Sequence, residues 1–197
     1  MGWAELDQPL LGALANALTV LAYLPYIRSI IYGHTRPHVF SWLIWGLATG
    51  IAFLAVRQAQ GGAGAWPIGI SCLVSMLVAG LAYFKRADIT ITSTDWGLFF
   101  AALAAIPVWM AAKDPLWAVM LITLIELLGF GPTMRKTWLR PHSESMGFLV
   151  IVIVRNALII TALGQHTVTT MLFPAAAALA CLLLVAIMLI RRPHVSP

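Results

Sequence analysis

Charged side chains are few in this chain: 12 Lys and Arg and 7 Asp and Glu, together 10% of 197 residues. A water-soluble globule of this length would cover itself with many more, so the composition excludes an ordinary soluble domain. Cysteine is nearly absent. Cys72 and Cys181 each sit inside an apolar run, with no CxxC pair or zinc spacing, and read as small buried hydrophobes rather than a disulfide framework. The ten-residue alternation of polar and apolar positions that barrel strands need is missing. So are a nucleophile elbow, an HExxH pair and a phosphate loop. The stretch QGGAGAWP at 60–67 has no following Lys-Ser or Lys-Thr and reads as a flexible outer loop. His34, His38 and His142 lie near turns without a nearby set of carboxylates or thiols. No enzyme, no metal and no cofactor is expected.

What is present is apolar: 61% hydrophobic residues and a mean hydropathy of +0.91. Seven apolar runs follow one another at 9–32, 39–57, 65–84, 94–112, 115–138, 145–163 and 168–190. Each approaches the ~17–25 residues a helix needs to cross a bilayer. The head MGWAELDQP carries Glu5 and Asp7 and no basic n-region, so the first run is expected to stay as a helix rather than be cleaved as a signal peptide. The net charge of +5 comes from basic residues in short turns beside apolar segments. That placement fits the positive side of a membrane and does not call for nucleic acid. With the N-terminus outside, Arg28, Arg36, Lys85, Arg86, Arg135, Lys136, Arg140, Arg191 and Arg192 fall inside, against Arg57 and Lys113 outside. The positive-inside rule therefore predicts an integral membrane protein, of the cell or inner membrane, with a cytoplasmic C-terminus.

The chain also repeats itself. Pro25 pairs with Pro132, Arg28 with Arg135, Arg36-Pro37-His38 with Arg140-Pro141-His142, Ser41 with Ser145, Trp66-Pro67 with Phe173-Pro174 and Lys85-Arg86 with Arg191-Arg192, at offsets of 104 to 107 residues. So constant an offset indicates internal duplication. The predicted architecture is all-α and polytopic, with seven transmembrane helices: a three-helix repeat over 8–86, a linker helix over 94–112 and a second repeat over 115–192. Three helices plus one make an even number of crossings, so the repeats are parallel, an arrangement that recurs in transporters.

A 3+1+3 chain with a proline near the inner end of each triplet's first helix, followed by a basic turn, resembles the PQ-loop superfamily, which includes SWEET and SemiSWEET sugar facilitators, lysosomal amino-acid exporters and KDEL receptors. The glutamine that follows the proline in that motif is Tyr26 in one copy here and Thr133 in the other. Trp42-x-x-Trp45 also resembles the WxxW signature of nicotinamide riboside transporters, which share the fold. The resemblance implies a carrier that rocks two triple-helix bundles about a central site to move a sugar, amino acid or vitamin-like metabolite. A membrane receptor or sorting protein on the same scaffold is the alternative. The expected partners are a small-molecule substrate and the lipid bilayer; whether copies associate as a homo-oligomer is left open.

Within the spans, polar residues mark the candidate site. Pro25 and Pro132 free a backbone carbonyl and are candidate hinges. Glu126 and Arg155 lie in otherwise apolar runs, about 15–18 Å from the shared turn at ~1.5 Å per residue. They are expected to form an intramembrane charge pair on adjacent helices, either fixing the packing or serving transport. Asn16, Thr19 and Tyr23 share one face of the first helix, and Thr19 matches Glu126 in the repeat. Trp45, Thr49 and Asn156 are the candidates on the second helix of each triplet, whereas Trp42, beside the turn, is expected to be an interfacial anchor. Substrate binding is thus assigned to Asn156, Trp45, Thr49, Asn16, Thr19 and Glu126.

Overall fold

The computed structural model describes residues 3–33, 37, 39–85, 93–139, 141–142 and 145–195, the side chains at 3–6, 94, 95, 98, 131–133, 135 and 136 excepted. It is all-helical, with no strand among the described residues. The elements are α1 (Trp3–Ile31), α2 (Val39–Gln58), α3 (Trp66–Phe84), α4 (Ser93–Ala112), α5 (Pro115–Leu139), α6 (Met146–Thr161) and α7 (Val168–Arg191), with short 3-10 turns at Gly62–Ala65 and Arg192–His194. Each predicted run is a helix. The ends agree within two residues except at the start of α1, which runs back through Pro9 to Trp3.

Local chemistry sets these ends. Gly33 follows α1 with a φ of +79°, a left-handed conformation that favours glycine. Pro67 occupies the first turn of α3, where its missing N–H is no loss. The Ser145 side chain caps α6 by accepting from the Phe148 amide, and Thr167 and Thr170 form a reciprocal capping box at the start of α7.

Four segments are long and apolar enough to cross a membrane: Asp7–Ile31, Val39–Gln58, Gly62–Phe84 and Val168–His194. Phe99–Ala112, Pro115–Phe130 and Met146–Thr161 are shorter apolar helices. Large apolar side chains point outward from every helix, among them Leu21, Leu54, Leu73, Met110, Leu128, Val154 and Leu182. A surface of that kind suits lipid rather than water. The interior is filled largely by small residues. Ala48, Ala52 and Ala55 of α2, Ala105 of α4 and Ala118 of α5 belong to one buried cluster with Ile51, Val56, Ile122 and Ile159, a composition that lets helix backbones approach closely without a hydrophobic driving force.

Helix neighbours do not follow chain order. α3 packs against both α1 and α2, and α7 packs against both α5 and α6, so the third helix of each group lies between the other two. Across the groups, α1 packs on α6 and α2 on α5, while α4 rests on α5 and α2. Leaving α4 and a lesser α2–α7 contact aside, exchanging α1, α2 and α3 for α5, α6 and α7 keeps the contacts within each group and the α1–α6 and α2–α5 contacts between them. The correspondence extends to single bonds. Lys85 Nζ donates to the Ile31 carbonyl at 3.2 Å, and Arg191 Nε donates to the Trp138 carbonyl at 3.1 Å. In each group a basic residue ending the third helix covers a free carbonyl at the end of the first.

The helices run alternately between two ends. One end holds the last residues of α1, α3, α5 and α7, with Arg28, Lys85 and Arg191, and is called the basic end below. At the far end the Gly62–Ala65 turn meets the turn between α6 and α7. There the Gly64 amide donates to the Ala162 carbonyl at 3.0 Å, and the Gly164 amide to the Gly61 carbonyl at 3.2 Å. A Cβ on Gly64 would stand 2.6 Å from the Ile159 carbonyl oxygen, so only glycine allows this approach.

Candidate functional site

The polar residues of the bundle interior form a ladder that is written twice. On α1, Asn16, Thr19 and Tyr23 follow one another along one face; 107 positions later stand Thr123, Glu126 and Phe130 on α5. Thr19 and Thr123 are buried, and so are the Oδ1 of Asn16 and the Oε2 of Glu126. Tyr23, Glu126, Arg155 and Cys181, from α1, α5, α6 and α7, lie within electrostatic reach of one another. The polar faces of α1 and α5 therefore look toward the same part of the core.

Arg155 is placed differently from the sequence expectation. Its Nε donates to Thr19 Oγ1 at 2.6 Å, and its Nη2 donates to the Pro67 carbonyl at 2.9 Å and to Ser71 Oγ. No ion pair joins it to Glu126 among the described residues, and Glu126 Oε2 has no hydrogen-bond partner. The expected contact pair is thus not made. The reason is the helix order: α7 stands between α5 and α6, and α6 faces α1 instead. By the repeat offset of 104, the residue on α2 that answers Arg155 is Ile51, which lies in the apolar cluster with Ile122 on the α5 side. One group carries a guanidinium at this position and the other an isoleucine.

Toward the basic end the site is walled by aromatic rings. Tyr23 meets Trp42 and Phe148 edge-on, with centroids 6.1 and 6.2 Å apart. Trp42 also packs against Tyr26 at 5.2 Å and Trp45 at 5.1 Å. Trp42 was expected at the interface but is buried, because its ring turns inward between α1 and α3, where Ile30 and Val78 join its cluster. Trp45 is 37% exposed. A Cβ on Gly129 would lie 3.7 Å from Trp45 Nε1, so the indole runs alongside α5.

Other polar side chains here, Ser71 as well as the candidates Thr49 and Asn156, are tied to their own helices. Thr49 donates to the Trp45 carbonyl at 2.8 Å, Ser71 to the Pro67 carbonyl at 2.9 Å and Asn156 Nδ2 to the Val152 carbonyl at 2.9 Å. Thr19 donates to the Ala15 carbonyl at 2.7 Å while accepting from Arg155. Both prolines lie within continuous helix, α1 running on to Ile31 and α5 to Leu139. His142 Nε2 lies 3.0 Å from the Val195 carbonyl oxygen; His34, Arg36 and His38 lie outside the described residues. Among the described residues no group of three or more His, Cys, Asp or Glu side chains is placed to hold a metal ion.

Two features of the site escaped the sequence reading. Thr123 is found by carrying Asn16 forward by the repeat offset. The Pro67 carbonyl as an arginine acceptor leaves no sequence signal, because any residue supplies a carbonyl. No family model, no curated protein and no solved structure matches this chain.

Proposed function

We propose that the protein is a membrane carrier for a small polar solute, built as two parallel triple-helix bundles joined by α4 and working by alternating access, in the manner of the PQ-loop proteins it resembles. The observation that carries this reading is the exchange relation. The same contacts among the three helices, a basic residue on a carbonyl at the same place and polar residues at Asn16/Thr123 and Thr19/Glu126 occur in both groups. Duplicated bundles of this type hold their substrate near mid-membrane, where the repeats meet. The ladder of Asn16, Thr19, Thr123 and Glu126 stands at that level.

All seven helices cross the bilayer in this reading. α6, with 16 residues, reaches about 24 Å at 1.5 Å per residue, a shortfall that local bilayer thinning accommodates. The basic end is cytoplasmic and the far end outside, by the positive-inside rule. The conformation described is then latched outside. The Gly64–Ala162 and Gly164–Gly61 bonds and the three bonds of Arg155 all join one triplet to the other. Among the described residues at the basic end, the bonds of Lys85, Arg191 and His142 stay within a triplet or its tail, and Tyr23 of α1 meets Phe148 of α6 edge-on. Pro25 and Pro132, inside continuous rods near that end, are where α1 and α5 bend when it closes.

Solute counterflow into proteoliposomes, against a panel of sugars, amino acids, amines and vitamins, tests the reading. At least one class should exchange, and Asn156→Ala and Trp45→Ala should slow it. Failure of every class to exchange, in protein shown to be folded, would remove the carrier reading. Orientation has a separate check in the native lysines. A membrane-impermeant amine reagent applied to intact cells is expected to modify Lys113 and to spare Lys85 and Lys136; the reverse pattern would invert the topology.

A further inference from the structure

Several hydroxyl groups in this bundle share one habit, and Thr123 on the ladder departs from it. The buried Thr19, Thr49 and Ser71 each donate to the carbonyl four residues back, the usual resolution for a hydroxyl inside a membrane helix. Thr123 does not. It is 3% exposed and its Oγ1 has no partner. One turn further along the same face, Glu126 Oε2 is also buried and unpartnered, and so is Oδ1 of Asn16, the residue that answers Thr123 in the first repeat. Arg155, the cation within electrostatic reach, is committed to Thr19, Pro67 and Ser71.

All three unpartnered atoms are oxygens able to accept hydrogen bonds, and one belongs to a carboxyl group. Buried acceptors left unmet are costly, and a carboxylate most of all. The group that answers them carries several N–H donors and a positive charge. The ring of Tyr23, which meets Trp42 edge-on, lies within electrostatic reach of Glu126, and aromatic rings of this kind attract cations. From these observations we infer that the ladder binds the ammonium group of a small organic amine, held by Glu126, Thr123 and Asn16. A neutral polyol would bring no charge to the Glu126 carboxyl group beyond that of Arg155, which hydrogen-bonds elsewhere. An anion would be repelled by it, and Arg155 is turned toward other partners.

This inference rests on the carrier reading for its purpose but is tested by binding. The probes are methylammonium, ethanolamine and benzylamine at pH 7, with N-acetylethanolamine and glycolate as neutral and anionic counterparts of ethanolamine, titrated calorimetrically into the full-length protein in detergent. At least one amine is expected to bind at least tenfold more tightly than either counterpart. Glu126→Gln should weaken that amine by about 10- to 100-fold, the usual range for losing a charged hydrogen bond. Thr123→Val should weaken it less, and Thr123→Ser should restore it; a common thermal stability across the three variants guards against misfolding. Binding of glycolate or N-acetylethanolamine as tight as that of ethanolamine would overturn the inference. So would an affinity unaltered by Glu126→Gln, or no binding by any of the three amines, as when Glu126 serves only to hold a proton. Amine binding without counterflow would count against the carrier reading and leave this site standing. Exchange of neutral or anionic solutes alone would do the opposite.

Discussion

Arg155→Leu is expected to leave the protein folded and to cut its transport rate about a hundredfold. The guanidinium belongs to α6, and its acceptors belong to α1 and α3, so every one of these bonds crosses from one triplet to the other. Removing it orphans nothing: Thr19 still donates to Ala15 and Ser71 to Pro67. Replacing a buried charge by an apolar side chain also recovers its desolvation cost, which often makes such a change neutral for global stability. What is lost is the preference for the latched conformation. Hydrogen bonds to a charged group contribute about 1.5–3 kcal/mol each, and a shift of roughly 3 kcal/mol changes the ratio of two states by about a hundredfold. Arg155→Lys keeps the charge without the planar fork and is expected to recover only part of the rate. Thermal unfolding in detergent, measured beside transport, separates this from a packing role. If Arg155 only holds the fold together, activity will fall in step with the folded fraction.

The second large effect is expected from one methyl group. Gly64→Ala would place a Cβ 2.6 Å from the Ile159 carbonyl oxygen and 2.9 Å from the Leu163 amide nitrogen. Both are backbone atoms, which cannot turn aside as a side chain can. The Gly62–Ala65 turn must therefore lift away from α6, taking with it the Gly64–Ala162 bond. Overpacking of this kind costs typically about 1–3 kcal/mol, and here it also opens the latched end. Gly80→Ala is the matched control. A Cβ there meets nothing within 4 Å, and within a helix alanine is favoured over glycine by about 1 kcal/mol. Thermal unfolding should fall by several degrees for the first variant and hold or rise for the second. Equal behaviour of the two would mean that the far-end turns are not packed as described.

The helices were legible in the sequence because their signal is long and local: runs of apolar residues punctuated by Pro37, the Gly61-Gly62 pair, Asp114 and Ser145. The repeated spacing was legible because Pro25, Pro67 and Lys85 keep their distance from Pro132, Pro174 and Arg191. What the chain order concealed was which helices touch. Short connections suggested that α5 and α6 pack as a hairpin, and the pairing of Glu126 with Arg155 followed from that. The third helix of each group is inserted between the other two, a long-range fact to which turn length is blind. Trp42 was misplaced for a related reason. Its position beside a turn suggested the interface, whereas its inward rotation depends on Tyr23 and Tyr26, residues on a different helix. Thr123 shows the reverse case, a candidate that the repeat offset alone would have disclosed.

Alternating access is tested most directly by distances at both ends of the same molecule. Spin-label pairs at 84 and 189 report on the basic end and pairs at 66 and 168 on the far end, all at exposed positions near the helix ends, in protein lacking Cys72 and Cys181. On addition of a solute shown to exchange, one pair is expected to lengthen while the other shortens. A transported solute that leaves both distances fixed, or moves them in the same sense, would contradict two bundles rocking about a central site.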